Sequence, residues 1–274
     1  MYAAITRCIS TLMLTLLSVN ASADLQFHWQ ATFTTSEQQK LRAWIKKTDD
    51  ALSHIVGNQP FTRHIYLHRL ENTKEPVPWA HTERGREQSV HFYVDPRFSQ
   101  QAFLADWTAP HELSHLVIPY VGERNAWFAE GFASYMQYQV MQAMGVMTPV
   151  DAQRRYLKRF QKAQSNYDMG HLPFSEAAPK LREKKQYPTM YWGGAIYFQQ
   201  VDTWLQLHRN SSFNTVLKGF LQCCRMRSPS LAQLIKNLDE ISESQTFSAH
   251  LEHYRTHLGF PNFAEPLLIG PTIK

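Results

Sequence analysis

The chain has 274 residues, 43% of them hydrophobic, with 28 Lys and Arg against 23 Asp and Glu and a formal net charge of +5. This length and apolar content can bury a sizeable core, in one large domain or two packed lobes. The charge is mild and forms no dense basic stripe, which argues against a nucleic-acid partner.

The first residues carry one positive charge at Arg7, then an apolar run from about Ile9 to Val19, then Ala21-Ser22-Ala23. That is the order of a secretory signal, so residues 1–23 are expected to be a signal peptide and Asp24 the first mature residue of a periplasmic or extracellular protein. The run is too short for a permanent membrane span, and no second long apolar run follows it. Without that segment the balance is 27 basic against 23 acidic residues, a net of +4. Cys8 leaves with it; the remaining pair, Cys223 and Cys224, are neighbours and read as two thiols on a helix.

From Leu25 to Phe33 apolar and polar residues alternate, the period of a half-buried strand. Thr34, Thr35 and Ser36 offer N-caps to a helix with Leu41, Trp44, Ile45, Leu52 and Ile55 on one side, stopping near Gly57. Strand patterns return at residues 63–70 and 89–94. Between them Pro76, Pro78 and Gly85 mark a loop with room for one short strand. Helical periodicity then takes over, at roughly 100–118, 127–144, 151–164, 190–208, 212–223, 229–240 and 244–258. The expected organisation is an α+β chain: an α/β lobe over 24–120 that ends in the helix carrying His111 and His115, then a helical lobe over 121–274.

The chemistry concentrates at Ala109-Pro110-His111-Glu112-Leu113-Ser114-His115. Residues four apart stack on one helix face, so the two imidazoles converge and can share a metal ion. Pro110 is tolerated if Thr108 is the N-cap, because the first-turn N–H groups lack intrahelical partners. A catalytic zinc usually takes a third protein ligand. Glu130 is the candidate, because it sits in the apolar, helix-patterned run Trp127-Phe128-Ala129-Glu130-Gly131-Phe132 and a buried carboxylate needs a partner.

HELSH followed by WFAEGFASY resembles the gluzincins, zinc peptidases with a glutamate third ligand, and within them the group called peptidase MA-like. The segment Tyr187-Pro188-Thr189-Met190-Tyr191-Trp192-Gly193-Gly194 is similar to the one that supplies a phenol to the aminopeptidase reaction centre. The resemblance implies a thermolysin-like, two-lobed fold and one zinc ion held by His111, His115 and Glu130. It also implies a general base at Glu112, an oxyanion donor at Tyr191 and peptide or protein substrates. Fourteen residues separate His115 from Glu130, fewer than in the aminopeptidase N family, whose Gly-x-Met-Glu-Asn motif is absent here. Two other readings remain open: a catalytically silent peptide- or cell-wall-binding protein of this fold, and a zinc amidase acting on peptidoglycan. His250, His253 and His257 read as a polar face of the last helix. His64 and His68 read as ordinary sheet residues, and the strand at 89–94 as an edge for substrate pairing.

Overall fold

The computed structural model describes residues 24–263; the expected signal segment, residues 1–23, lies outside them. The first strand, β1 (Leu25–Trp29), is shorter than its alternating pattern, because pairing with the next strand stops at Trp29 and Leu67. Thr34 then caps α1 (Thr35–Val56) by a capping box in which its hydroxyl accepts from the Glu37 N–H while the Glu37 carboxylate accepts from the Thr34 N–H. The strands β2 (Arg63–Arg69), β3 (Trp79–Arg84) and β4 (Gln88–Val94) complete a sheet of order β1-β2-β4-β3. Strands β1, β2 and β4 run parallel, and β3 runs antiparallel to β4. The 89–94 strand therefore lies inside the sheet, and the edge belongs to β3. This corrects the reading of 89–94 as the edge, while β3 takes the place left for one short strand in the proline-containing loop.

One face of the sheet is apolar. Ile65, Leu67, Val90, Phe92 and Val94 are fully buried on it, and Trp44 of α1 packs edge-on against Phe92 at 5.2 Å between ring centroids. The buried pair Arg63–Asp49, at 3.0 Å, ties β2 to α1. Burial raises the Asp49 pKa and Arg63 opposes that rise.

The expected helix over 100–118 is two, α2 (Gln100–Ala105) and α3 (Thr108–His115), broken where Asp106 leaves helical geometry and its carboxylate accepts from the Thr108 N–H. Thr108 is thus the first helical residue and Trp107 the cap, a correction that leaves Pro110 in the first turn, where its missing N–H costs no hydrogen bond. After a turn at Gly122 (φ +85°) come α4 (Ala126–Ala143), α5 (Pro149–Ser165) and α6 (Phe174–Glu183). The pattern of α6 was hidden by Pro179 within it. The rest is α7 (Tyr187–Arg209), α8 (Phe213–Cys223), α9 (Leu231–Ser242) and α10 (Thr246–Thr256). Among the described residues no helix is long and apolar enough to cross a membrane.

Two glycines set the closest helix crossing. A Cβ on Gly131 of α4 would lie 2.3 Å from the Gly194 carbonyl carbon of α7, and one on Gly194 would lie 2.1 Å from the Trp127 oxygen. Only hydrogen in both places lets the backbones meet. Around the crossing Trp127, Phe128 and Phe132 interlock with Tyr197 and Phe198. At the end of α8, Cys224 departs from helical geometry and is joined to Cys223 by a disulfide, which replaces the two thiols read from the sequence. Beside it Arg225 is buried, donating to the Leu116 carbonyl just past α3 and to Gln88 of β4.

Candidate metal centre

His111 and His115 lie one above the other on α3, both buried, their rings 4.9 Å apart and nearly perpendicular. Across from them α4 presents Glu130. Its Oε2 lies 3.3 Å from His111 Nε2 and 3.5 Å from His115 Nε2. The structure therefore brings together the three residues that sequence spacing proposed, one ligand atom of each lying within 4.8 Å of the others.

Gln137 is a member that sequence reasoning missed. It stands seven residues, two helical turns, beyond Glu130 on the same side of α4, and its Oε1 accepts from His111 Nδ1 at 3.1 Å. That bond fixes the proton on Nδ1 and leaves the Nε2 lone pair facing Glu130, the usual support for a metal-bound imidazole. Its signal was a buried polar residue at i+7 from the candidate glutamate.

The electrostatics follow from burial. Burial acts to raise the Glu130 pKa, but the imidazoles of His115 and His111 hold its carboxyl well below the ordinary range. Burial likewise acts against a charged His111, yet its bond to Glu130 and the charges of Glu112 and Glu130 leave its pKa raised. At His115 burial prevails and the pKa falls. His115 Nδ1 is buried without a hydrogen-bond partner.

Glu112 faces β3. The Thr82 hydroxyl lies 2.7 Å from Glu112 Oε2 and 2.9 Å from the Glu112 carbonyl oxygen, so the edge strand orients this carboxylate. Arg84, two residues on, donates to the His115 carbonyl at 3.3 Å. Tyr191, in the second turn of α7, lies over His111 with ring centroids 6.1 Å apart. Burial, then the charges of Glu130 and Glu112, push its phenol pKa far up, so it is a donor at any ordinary pH. Tyr187 is 40% exposed at the helix start. Tyr197 is spent on the Phe247 carbonyl.

These groups surround a cavity of about 310 Å³ lined by Thr82, His111, Glu112, His115, Glu130 and Tyr191. A second hollow of about 430 Å³ shares Trp79, Arg84, Glu130 and Tyr191 in its wall. A larger, apolar hollow of about 720 Å³ lies between α7 and α10, lined by Trp204, Leu207, His250 and His253, away from these residues. His250 donates to the Thr246 carbonyl, and His253 stacks on His257, which lies just past the end of α10.

The fold is similar to that of M1 zinc metallopeptidases of known structure. A crystal structure of the M1 zinc metallopeptidase from Deinococcus radiodurans superposes with a TM-score of 0.54 at 15% identity, over 90% of this chain and 50% of that one. A two-domain M1 zinc metallopeptidase mutant bound to L-tryptophan gives 0.53 at 14% identity, over 89% and 50%. The chain thus spans about half the length of the structures it matches. No family model matches the chain, and no curated protein matches it by sequence.

Proposed function

We propose that this protein is a zinc-dependent peptidase of the two-lobed, thermolysin-like kind, with one ion held by His111, His115 and Glu130. The observation that carries the reading is the convergence of two buried imidazole Nε2 atoms on one Glu130 oxygen, beside a carboxylate oriented by a strand. The donor set fits the metal: two nitrogens and one carboxylate oxygen are a usual catalytic zinc set, with a fourth position left for water. Bound there, zinc would acidify a water and polarise the substrate carbonyl.

The chain's own residues supply the rest. Glu112 takes a proton from the attacking water and hands it to the leaving nitrogen, a role that requires an acceptor aimed at one place. Thr82 provides that aim. Tyr191 donates to the carbonyl oxygen as charge grows on it, and its high pKa keeps the proton available. An extended substrate pairs with the open side of β3, the edge strand above α3, rather than with β4. Export by residues 1–23 would place this activity in the periplasm or outside the cell.

The test is hydrolysis of a quenched peptide library by the zinc-loaded chain, run beside peptidoglycan cross-link substrates and repeated with Glu112→Gln. Peptide cleavage that disappears in the variant supports the reading. Cleavage of cross-links alone would make the enzyme an amidase, and no cleavage with zinc bound would make it a binding protein.

A further inference from the structure

Strand β3 faces two ways. Thr82 and Arg84 reach toward α3, whereas His81 and Glu83 stand on the opposite face of the sheet, with His91 of β4 directly across from His81. On that face the register aligns His28, Tyr66, His91 and His81 in one row across all four strands, with successive ring centroids 4.4, 4.4 and 4.7 Å apart. His64 and His68 flank the row, so five of the 13 histidines gather on one sheet face. These imidazoles come from strands that only the β1-β2-β4-β3 order makes neighbours.

We propose that His81, Glu83 and His91 form a second cation site, taking a borderline divalent ion such as Zn2+ on the face of the sheet opposite the peptidase centre. One ring nitrogen of each histidine and one Glu83 oxygen lie within 4.8 Å of one another, and His81 Nε2 is 3.8 Å from Glu83 Oε1. Ligands at 2.0–2.1 Å around a tetrahedral ion stand about 3.3 Å apart, so closure requires movements of about 1 Å. The His81 and His91 rings are stacked within 7°, and one must turn about χ2 for both lone pairs to meet. That torsion is soft, and the exposed Glu83 side chain can follow.

Two features point beyond stacking. His91 Nδ1 lies 3.1 Å from His68 Nε2; with the proton on Nδ1, this bond leaves the His91 Nε2 lone pair available, the support seen behind metal-bound imidazoles. His81 Nδ1 is buried with no hydrogen-bond partner, so the stack alone leaves this ring unsatisfied. Two imidazoles and one carboxylate favour zinc-like ions over Mg2+ or Ca2+, which prefer all-oxygen sets. An ion here would clamp β3 to β4 behind the strand that orients Glu112.

The test is zinc content after equilibrium dialysis against ZnCl2, with circular dichroism to verify folding. The wild-type chain is expected to hold two ions, Glu130→Ala one, and the double variant His81→Asn/His91→Gln one, with peptide hydrolysis retained. Adding His91→Gln to Glu130→Ala should weaken the residual ion at least 10-fold. Wild-type zinc content in the folded double variant, or residual zinc indifferent to His91→Gln, would overturn the second site. Because Glu130→Ala is read separately, the two sites fail independently.

Discussion

The Thr82 hydroxyl lies 2.7 Å from Glu112 Oε2, so the side chain assigned to proton transfer is oriented by the sheet edge as well as by its own helix. Thr82→Val keeps the shape and removes the donor. A hydrogen bond to a charged group contributes roughly 1.5–3 kcal/mol, so kcat should fall about 10- to 100-fold with KM little changed. Steady-state kinetics at fixed zinc content decide it, and an unchanged kcat would mean that α3 alone orients Glu112.

Glu112→Gln should retain zinc and fold while hydrolysis drops by roughly 10²–10⁴-fold, because the amide cannot accept the water's proton. The rate on a fluorogenic peptide and the metal content are measured on one preparation. Full activity would remove Glu112 from the reaction.

Tyr191→Phe should lower kcat by roughly 10²-fold and leave KM near its wild-type value, since the phenol acts only as charge develops. Tyr187→Phe, at an exposed helix start, should do far less. A drop in melting temperature without a selective drop in kcat would make Tyr191 a packing residue.

Zinc binding at the α3–α4 centre should strengthen as pH rises. His111 has a raised pKa in the metal-free site, so at mildly acidic pH it holds a proton that the ion must displace. The sign for the metal-free fold is opposite: protonation of a group with a raised pKa stabilises at low pH, and that contribution fades as pH climbs through the raised value. Chelator competition at several pH values measures the first effect, and affinity independent of pH would contradict it.

Gly194→Ala places a Cβ 2.1 Å from the Trp127 carbonyl oxygen. Overpacking of this kind costs about 3 kcal/mol, which for a chain of this size corresponds to a melting temperature lower by about 6–12 °C. The crossing carries Glu130 and Tyr191 on either side, so zinc affinity should fall with it. A variant as stable as wild type would show that α4 and α7 can part without penalty.

Much of this was legible in the sequence, and the reasons differ by element. His111 and His115 are four apart on one helix, so their convergence is a local consequence of the α-helical repeat. Glu130 was visible as a charge in an apolar run. Gln137 was passed over because a neutral amide in an apolar run is a weaker signal than a charge, and Thr82 was not legible because it meets Glu112 only through tertiary packing. The edge position of β3 was missed because its hydrophobic alternation is weak and its partner, β4, follows it in sequence but precedes it in the sheet order. What occupies the space beside Gly193 and Gly194 was not legible either, because it depends on which elements cross there. The structure fills that space with α4 and the Phe174 ring.

The alternation along β3 binds two parts of the molecule into one inheritance. Successive side chains serve opposite faces, Thr82 toward Glu112 and its neighbours His81 and Glu83 toward the histidine row. Deleting Ala80 would swap the faces, turning His81 and Glu83 toward α3 and the Thr82 hydroxyl away from Glu112. Point substitutions on either face can accumulate separately, but length changes in this strand cannot. In a set of homologous chains, gaps should therefore fall in the turn around Gly85 and the proline stretch before Trp79, and be missing between those limits.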